Sequence, residues 1–260
     1  MYSAIQYIKH FFLSNHKGHN VHSPFVYNFV KNVLETRGEF YCFSEIENVR
    51  ETLLYNHKSI IINDLGAKSK VDKSPKRTVS DIAKTSLKPK KQAQLLFRIV
   101  NHFQPKTVIE LGTSLGISTL YISKAVKTSQ IITIEGDKSI FEIAENLFKT
   151  LNIRNIKNIN ANFDNELEKI VNNLEKIDLV YFDGNHTKEA TLKYFESILP
   201  KISENTVLIF DDIYWSKGMT EAWLEIKMNE KVKVTIDTFY FGIVLFRTTQ
   251  PKQNFKLYTR

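Results

Sequence analysis

From residue 87 onward the chain alternates short apolar runs with segments of helical period, and this alternation limits the fold more than any other feature. Apolar runs too short to be helices, separated by stretches with a single apolar face, read as βαβ units around a mostly parallel sheet. Strands are expected near Thr107–Leu111, Gln130–Glu135, Ile156–Ala161, Asp178–Phe182 and Thr206–Phe210, with helices over 90–103, 117–127, 138–151, 164–174, 187–199 and 217–228. Val232–Thr238 and Tyr240–Thr248 are β-branched and aromatic runs almost in contact. They predict a closing hairpin that puts one antiparallel strand into the sheet. The expected fold class is α/β: a doubly wound, seven-stranded, mostly parallel sheet with a C-terminal antiparallel hairpin and an N-terminal helical extension.

Three regions follow from the pattern. Residues 1–65 place aromatic and aliphatic residues on helical spacing (Phe25, Phe29, Val33, then Ile46, Val49, Leu53, Leu54) and read as a helical cap, with Ser23-Pro24 placed to open a helix. Met1–Ser14 is apolar but interrupted by Lys9 and His10, so it reads as an amphipathic helix rather than a leader peptide. Residues 66–86, with Gly66, Ser69, Ser74, Pro75, Ser80 and many lysines, read as a basic loop or linker, and 87–260 as the ligand-binding domain.

A composition of 42% hydrophobic and 25% charged residues excludes disordered and membrane-embedded classes, and the single cysteine, Cys42, excludes an internal disulfide. No stretch approaches the roughly 20 apolar residues of a membrane span, so a cytoplasmic protein with no membrane partner is expected. The net charge of +8 permits attraction to nucleic acid or to an anionic surface. The excess crowds into Lys68, Lys70, Lys73, Lys76, Arg77, Lys84, Lys88, Lys90 and Lys91. That segment reads as a solvated loop, with a lid over an acidic substrate and a nucleic-acid contact as alternatives.

The sharpest local signal is the run from Val108 to Thr119, in which a buried strand enters a turn with Gly112 and Gly116 and then a helix. Glycines there let backbone approach a ligand where side chains would collide. A second strand ends in Glu135, where a carboxylate can accept hydrogen bonds from the two hydroxyls of a ribose. The dinucleotide fingerprint requires G-x-G-x-x-G facing a pyrophosphate. Here the spacing is G-x-x-x-G behind the acidic Glu110, which favours a cationic ligand. S-adenosylmethionine carries an ammonium and a sulfonium and no phosphate.

Glu-Leu-Gly-Thr-Ser-Leu-Gly-Ile-Ser at 110–118, followed by Ile-Thr-Ile-Glu-Gly at 132–136, resembles the first two motifs of class I S-adenosylmethionine-dependent methyltransferases. The likeness is greatest to the catechol and caffeoyl-CoA O-methyltransferase group and to the macrocin-type sugar O-methyltransferases. It spans roughly residues 85–248 and implies a Rossmann-like fold. It also implies that Glu110, Gly112, Ser114, Gly116 and Ser118 surround the methionine part, that Glu135 holds the ribose, and that Asn162, Phe163 and Asp164 lie beside adenine. Thr85–Lys91 would form the outer lip of the pocket. Val21-His22-Ser23-Pro24-Phe25 resembles a motif in a bacterial branch of methyltransferases, which implies an N-terminal region folded over the active-site mouth.

Two further acidic clusters end strands: Asp183 in Asp-Gly-Asn-His, and the pair Asp211-Asp212. Carboxyl ends of neighbouring parallel strands open on one crevice, so the three aspartates are expected to converge, with Asp183 also on the cofactor side. Three such carboxylates suit a hard cation, Mg²⁺ or Ca²⁺, able to lower the pKa of a substrate hydroxyl. In the metal-dependent enzymes this segment resembles, an aspartate and a later acidic pair hold the metal. His186 stands where the catechol-type enzymes carry a lysine base, and a histidine titrates near neutrality. The sugar-modifying relatives place an acidic base one position earlier, where this chain has Asn185. His16, His19 and His22 recur at three-residue spacing without a cysteine and make a weak metal signal. Trp223 is expected in the core, and Trp215 in the acceptor wall.

The reading is therefore methyl transfer from S-adenosylmethionine to the hydroxyl of a small-molecule acceptor, assisted by a divalent cation. The rivals are an RNA methyltransferase, motivated by the basic segment, and a non-catalytic S-adenosylmethionine-binding module. The oligomeric state is open, and a homodimer is compatible with the sequence.

Overall fold

A computed structural model describes residues 2–15, 21–62 and 75–259. Along the chain run α1 (Tyr2–Leu13), α2 (Pro24–Phe29), a π-helical turn (Val30–Leu34), α3 (Phe43–Leu54), β1 (Ser59–Ile61), β2 (Lys76–Thr78), α4 (Val79–Ser86) and α5 (Lys90–Phe103). Then come β3 (Thr107–Leu111), α6 (Ile117–Ala125), β4 (Gln130–Glu135), α7 (Lys138–Thr150), β5 (Ile156–Asn160), α8 (Phe163–Asn173) and β6 (Leu179–Phe182). The chain continues through α9 (Lys188–Ile198), β7 (Val207–Asp211), α10 (Lys217–Met228), β8 (Val234–Asp237), β9 (Phe241–Leu245) and β10 (Gln253–Lys256). The fold class is α/β and Rossmann-like: eight mostly parallel strands, antiparallel toward the C-terminus, with helices at the N-terminus. By compactness the chain divides into residues 37–166 and a second unit that joins 1–36 to 167–260.

In the unit of residues 37–166, β3, β4 and β5 are parallel in that order, with Val108 opposite Ile131 and Ile131 opposite Ile156. Val108, Ile109, Leu111, Ile131 and Ile134 are fully buried, as strands covered on both faces require. α5 and α3 pack on α6, where Phe40, Phe43, Phe97 and Tyr121 form a cluster of rings with centroids 4.7 to 6.5 Å apart. The Tyr121 hydroxyl donates to Glu47 at 2.8 Å, and Lys124 pairs with Glu45 at 3.0 Å, fixing α3 to α6. Compactness thus splits the segment read as one N-terminal cap, placing residues 37–62 in this unit and 1–36 in the other.

Residues 76–86, expected in a loop, form β2 and α4, and β2 pairs antiparallel with β1. The lysines masked an amphipathic turn: Val79, Ile82 and Ala83 are buried at helical spacing, and Thr78 with Asp81 forms a capping box. The rest of that basic loop, 66–74, lies outside the described residues, as do His16 and His19.

In the other unit the strand order is β10-β8-β9-β7-β6. β6 and β7 are parallel, β9 is antiparallel to both β7 and β8, and β10 lies parallel to β8. The expected hairpin is β8–β9, and β10 is the eighth strand that the apolar pattern of Gln-Asn-Phe-Lys did not announce. Ser23 caps α2 by accepting from the Val26 N–H, with Pro24 as the first helical residue. α1 is held by His10, whose Nε2 lies 3.0 Å from Asp237 Oδ1, and by backbone bonds from Asn15 N–H to Lys256 O and from Tyr258 N–H to Asn15 O. Burial pushes the Asp237 carboxyl up, but bonds from His10, Tyr214 and the Phe239 N–H outweigh it and hold its pKa below the usual value.

Trp223 on α10 is fully buried, as expected, and lies against Phe210 and the bare backbone of Gly242. A Cβ at Gly242 would stand 2.8 Å from the Trp223 ring and 3.0 Å from Ile213. Gly242→Ala is therefore expected to destabilise the protein by about 1–3 kcal/mol through overpacking, read as a fall in calorimetric Tm with secondary structure unchanged.

Candidate active site

The glycine-lined turn is built by backbone conformations that side chains resist. Gly112 and Gly116 have φ of +105° and +88°, and Ser114 between them has +47°. A Cβ at Gly116 would meet the Phe148 ring at 2.8 Å, so the turn approaches α7 closely only because this residue is glycine. The Gly112 and Thr113 N–H groups both donate to Ile134 O, which pins the turn to β4.

Glu135 ends β4 as expected. Its Oε2 accepts the Ser114 N–H at 2.9 Å and its Oε1 accepts the Asp137 N–H at 2.9 Å, so the residue expected to hold ribose also fastens the turn. Asn160 Nδ2 donates to Glu135 O at 2.8 Å, tying in the end of β5. Asn162 accepts the Asp164 N–H at 2.8 Å and so shapes the entry to α8 at Phe163.

Glu110 is placed differently from its neighbours in the motif. It is fully buried, and its Oε2 accepts from the Thr119 hydroxyl at 2.5 Å and the Thr133 hydroxyl at 2.7 Å, with Thr113 Oγ1 2.6 Å from Thr133 Oγ1. It joins β3, β4 and α6 beneath the turn. The three threonines, Asn160 and Asp137 were not singled out by sequence reasoning, because their spacing follows no local period. Ser118, on the first turn of α6, is buried.

In the other unit, β6 and β7 run in register with Phe182 opposite Phe210, their rings stacked at 4.3 Å. The next residues along each strand, Asp183 and Asp211, therefore emerge side by side. Asp183, His186 and Asp211 each offer a ligand atom within 4.8 Å of the others. His186 Nε2 lies 3.8 Å from Asp183 Oδ1, and the buried Tyr181 donates to Asp183 Oδ2 at 2.9 Å. Asp212 is not in this group. Side chains alternate faces along a strand, so adjacent aspartates at the end of β7 do not aim at one point. Asp212 has φ +52°, and its backbone bonds Tyr240 O and the Trp215 N–H. Two carboxylates and an imidazole fit a divalent cation, and such mixed O/N donors suit Mn²⁺, Fe²⁺ or Zn²⁺ as well as the Mg²⁺ or Ca²⁺ expected of three carboxylates.

Asn185, at φ +52°, gives its amide to the Tyr194 hydroxyl at 3.1 Å, and Thr187 caps α9. Trp215 is exposed, whereas Tyr214 is buried, stacks on Phe239 and donates to Asp237 Oδ2 at 2.5 Å.

A positive-φ glycine turn after β3 and a carboxylate ending β4 stand on a Rossmann-like α/β fold. Residues 109–213 match the family model described as a methyltransferase domain. Over 118 residues the chain is 33% identical to an uncharacterised RNA methyltransferase of Fusobacterium nucleatum, a stretch covering 44% of this chain and 24% of that one. The chain is also 24% identical over 144 residues to an uncharacterised protein of Sinorhizobium fredii, covering 16% of it, so it spans a quarter or less of these relatives' lengths. Among solved structures, a methyltransferase of Podospora anserina with bound S-adenosylhomocysteine superposes with TM-score 0.59 at 14% identity over 86% of this chain and 96% of that one. An O-methyltransferase of Bacillus cereus, also with S-adenosylhomocysteine, gives 0.57 at 17% identity over 85% and 96%. Residues 109–213 are therefore similar to a methyltransferase domain, and the fold is the one seen in these S-adenosylhomocysteine-bound structures.

Burial raises the pKa of Glu135 above its usual 4.5, against the lowering effect of the N–H groups of Asp137 and Ser114. A raised value means that the folded protein takes up the proton earlier as pH falls, and the protonated carboxyl is the weaker acceptor for ribose hydroxyls. Affinity for S-adenosylhomocysteine is expected to fall several-fold as pH drops through this raised pKa, in titration calorimetry run at successively lower pH.

Proposed function

We propose that this protein transfers the methyl group of S-adenosylmethionine to a hydroxyl of a small-molecule acceptor. The observation that carries the reading is Glu135, fixed by two backbone donors at the end of β4 beside a turn in which Gly112 and Gly116 hold positive φ. The turn of Gly112, Ser114 and Gly116 takes the methionine part, Glu135 accepts from the ribose hydroxyls, and Asn162, Phe163 and Asp164 flank the adenine. S-adenosylmethionine supplies an electrophilic methyl on sulfur.

Asp183, His186 and Asp211 form the acceptor side of the reading. A divalent cation held there would supply Lewis acidity, lowering the pKa of a hydroxyl. Tyr181 orients the Asp183 carboxylate by holding one of its oxygens. His186 takes the hydroxyl proton where it is not itself a ligand, its imidazole steadied by Asp183. Thr85–Lys91 forms the outer lip of the cofactor pocket, and the N-terminal region shapes acceptor choice.

Calorimetry with S-adenosylhomocysteine should show binding to the wild type and none to Glu135→Ala, with circular dichroism showing that the variant, though less stable, is still folded. Absence of heat with folded wild-type protein removes the proposal. For the cation, EDTA and Asp211→Ala should each lower methyl transfer by roughly 100-fold or more. Activity that survives both excludes the metal.

The basic residues and the stretch shared with the uncharacterised RNA methyltransferase favour one second reading, methylation of RNA. Acceptor binding would then weaken steeply with salt, because phosphate contacts release counterions. Mass spectrometry of a cell extract incubated with labelled donor separates a small product from RNA, and no product at all points to a non-catalytic binding module.

A further inference from the structure

Helix α1 carries its polar side inward. Its one fully buried side chain is His10, at 2% exposure, joined to Asp237. Ser3, Gln6 and His10 recur at i, i+3 and i+7 and are half-buried or buried, so a polar stripe faces the protein. Outward stand Ile5, Ile8, Phe12 and Leu13, with Ile8 at 57%, Phe12 at 78% and Leu13 at 68% exposure. At about 3.6 residues per turn, Ile5, Ile8 and Phe12 share an arc of roughly 60°, bordered by the exposed Lys9. An ordinary surface helix shows the reverse arrangement, and a contiguous exposed apolar patch marks an interaction site.

Charge selects the occupant. The protein as a whole carries a net charge of +8, and α1 itself holds Lys9 on its exposed side and no aspartate or glutamate. A second copy would bring Lys9 toward Lys9 with no carboxylate in the segment to pair it. An anionic lipid surface accepts both the apolar arc and the cations, which is the signature of a helix lying in the membrane interface. With 12 residues, α1 is about 18 Å long, far short of the roughly 30 Å hydrocarbon core, and among the described residues no helix is long and apolar enough to cross a membrane. We propose that α1 adsorbs the protein to an anionic bilayer surface, with Ile5, Ile8, Phe12 and Leu13 entering the headgroup boundary and Lys9 at the phosphates. The absence of a membrane partner, expected from the lack of a spanning segment, does not bear on adsorption. This inference is independent of the methyl acceptor.

The test is sedimentation of the full-length protein with vesicles of phosphatidylcholine alone and of phosphatidylcholine with phosphatidylserine. Wild-type protein should pellet with the anionic vesicles and release as salt rises. The double variant Ile8→Ser/Phe12→Ser should bind at least roughly tenfold more weakly, and Lys9→Glu roughly fivefold or more, each with an unchanged Tm because these side chains are exposed. Failure of wild-type protein to pellet, or equal binding by the double variant, overturns the proposal. So does light scattering that finds a dimer, converted to monomer by the double variant, in protein that ignores the vesicles.

Discussion

The carboxylate of Glu110 sits in the interior, and much of the donor side depends on its being tolerated there. An ionised group taken from water costs several kcal/mol unless hydrogen bonds replace its hydration. Thr119 and Thr133 supply such bonds, and Thr113 backs Thr133. These hydroxyls come from the turn, from α6 and from β4, so satisfying one buried carboxyl fixes three pieces of backbone against β3. The left-handed turn above them can then persist, because its surroundings leave it no other course. Glu135 completes the arrangement from outside, holding the Ser114 N–H where a loose turn would swing.

The acidic cluster is organised by a different device, strand register. Phe182 stacked on Phe210 sets two strand ends level, and pleat then decides which carboxylates meet. Immediately beyond, Asn185 and Asp212 both hold φ of +52°, a conformation that L side chains adopt rarely and chiefly where surroundings impose it. Left-handed residues at both strand exits turn the chain sharply, which lets His186 come back toward Asp183 and sends Asp212 elsewhere.

Much of this was legible in the sequence. Hydrophobic period located β3 and β4 to the residue and α5 and α10 likewise, because their apolar positions are buried and leave little freedom. The glycine turn was legible for the same reason that it works, since few residue types fit a positive φ, and Glu135 because a carboxylate ends an otherwise apolar strand. What failed to show did so on physical grounds. α4 was hidden because capping residues and three buried apolar side chains were outweighed by the lysines around them. β10 is polar and takes its conformation from pairing with β8 rather than from its own composition. The replacement of Asp212 by His186 in the acidic group turns on face alternation at a strand end, where a one-residue shift in boundary reverses the outcome. The threonines around Glu110 could not be found at all, since a contact across three elements leaves no periodic trace.

The late strand β10 has an effect on solubility. Every residue of β8 is buried, and a strand of that composition left open would offer unpaired amide and carbonyl groups to any passing chain. β10 occupies those groups and presents in their stead a short polar margin, entered through Pro251 and Lys252 and ending in Lys256. Proline cannot donate to a further ladder, and lysines repel a docking copy, so a short and mostly polar strand guards this border against aggregation.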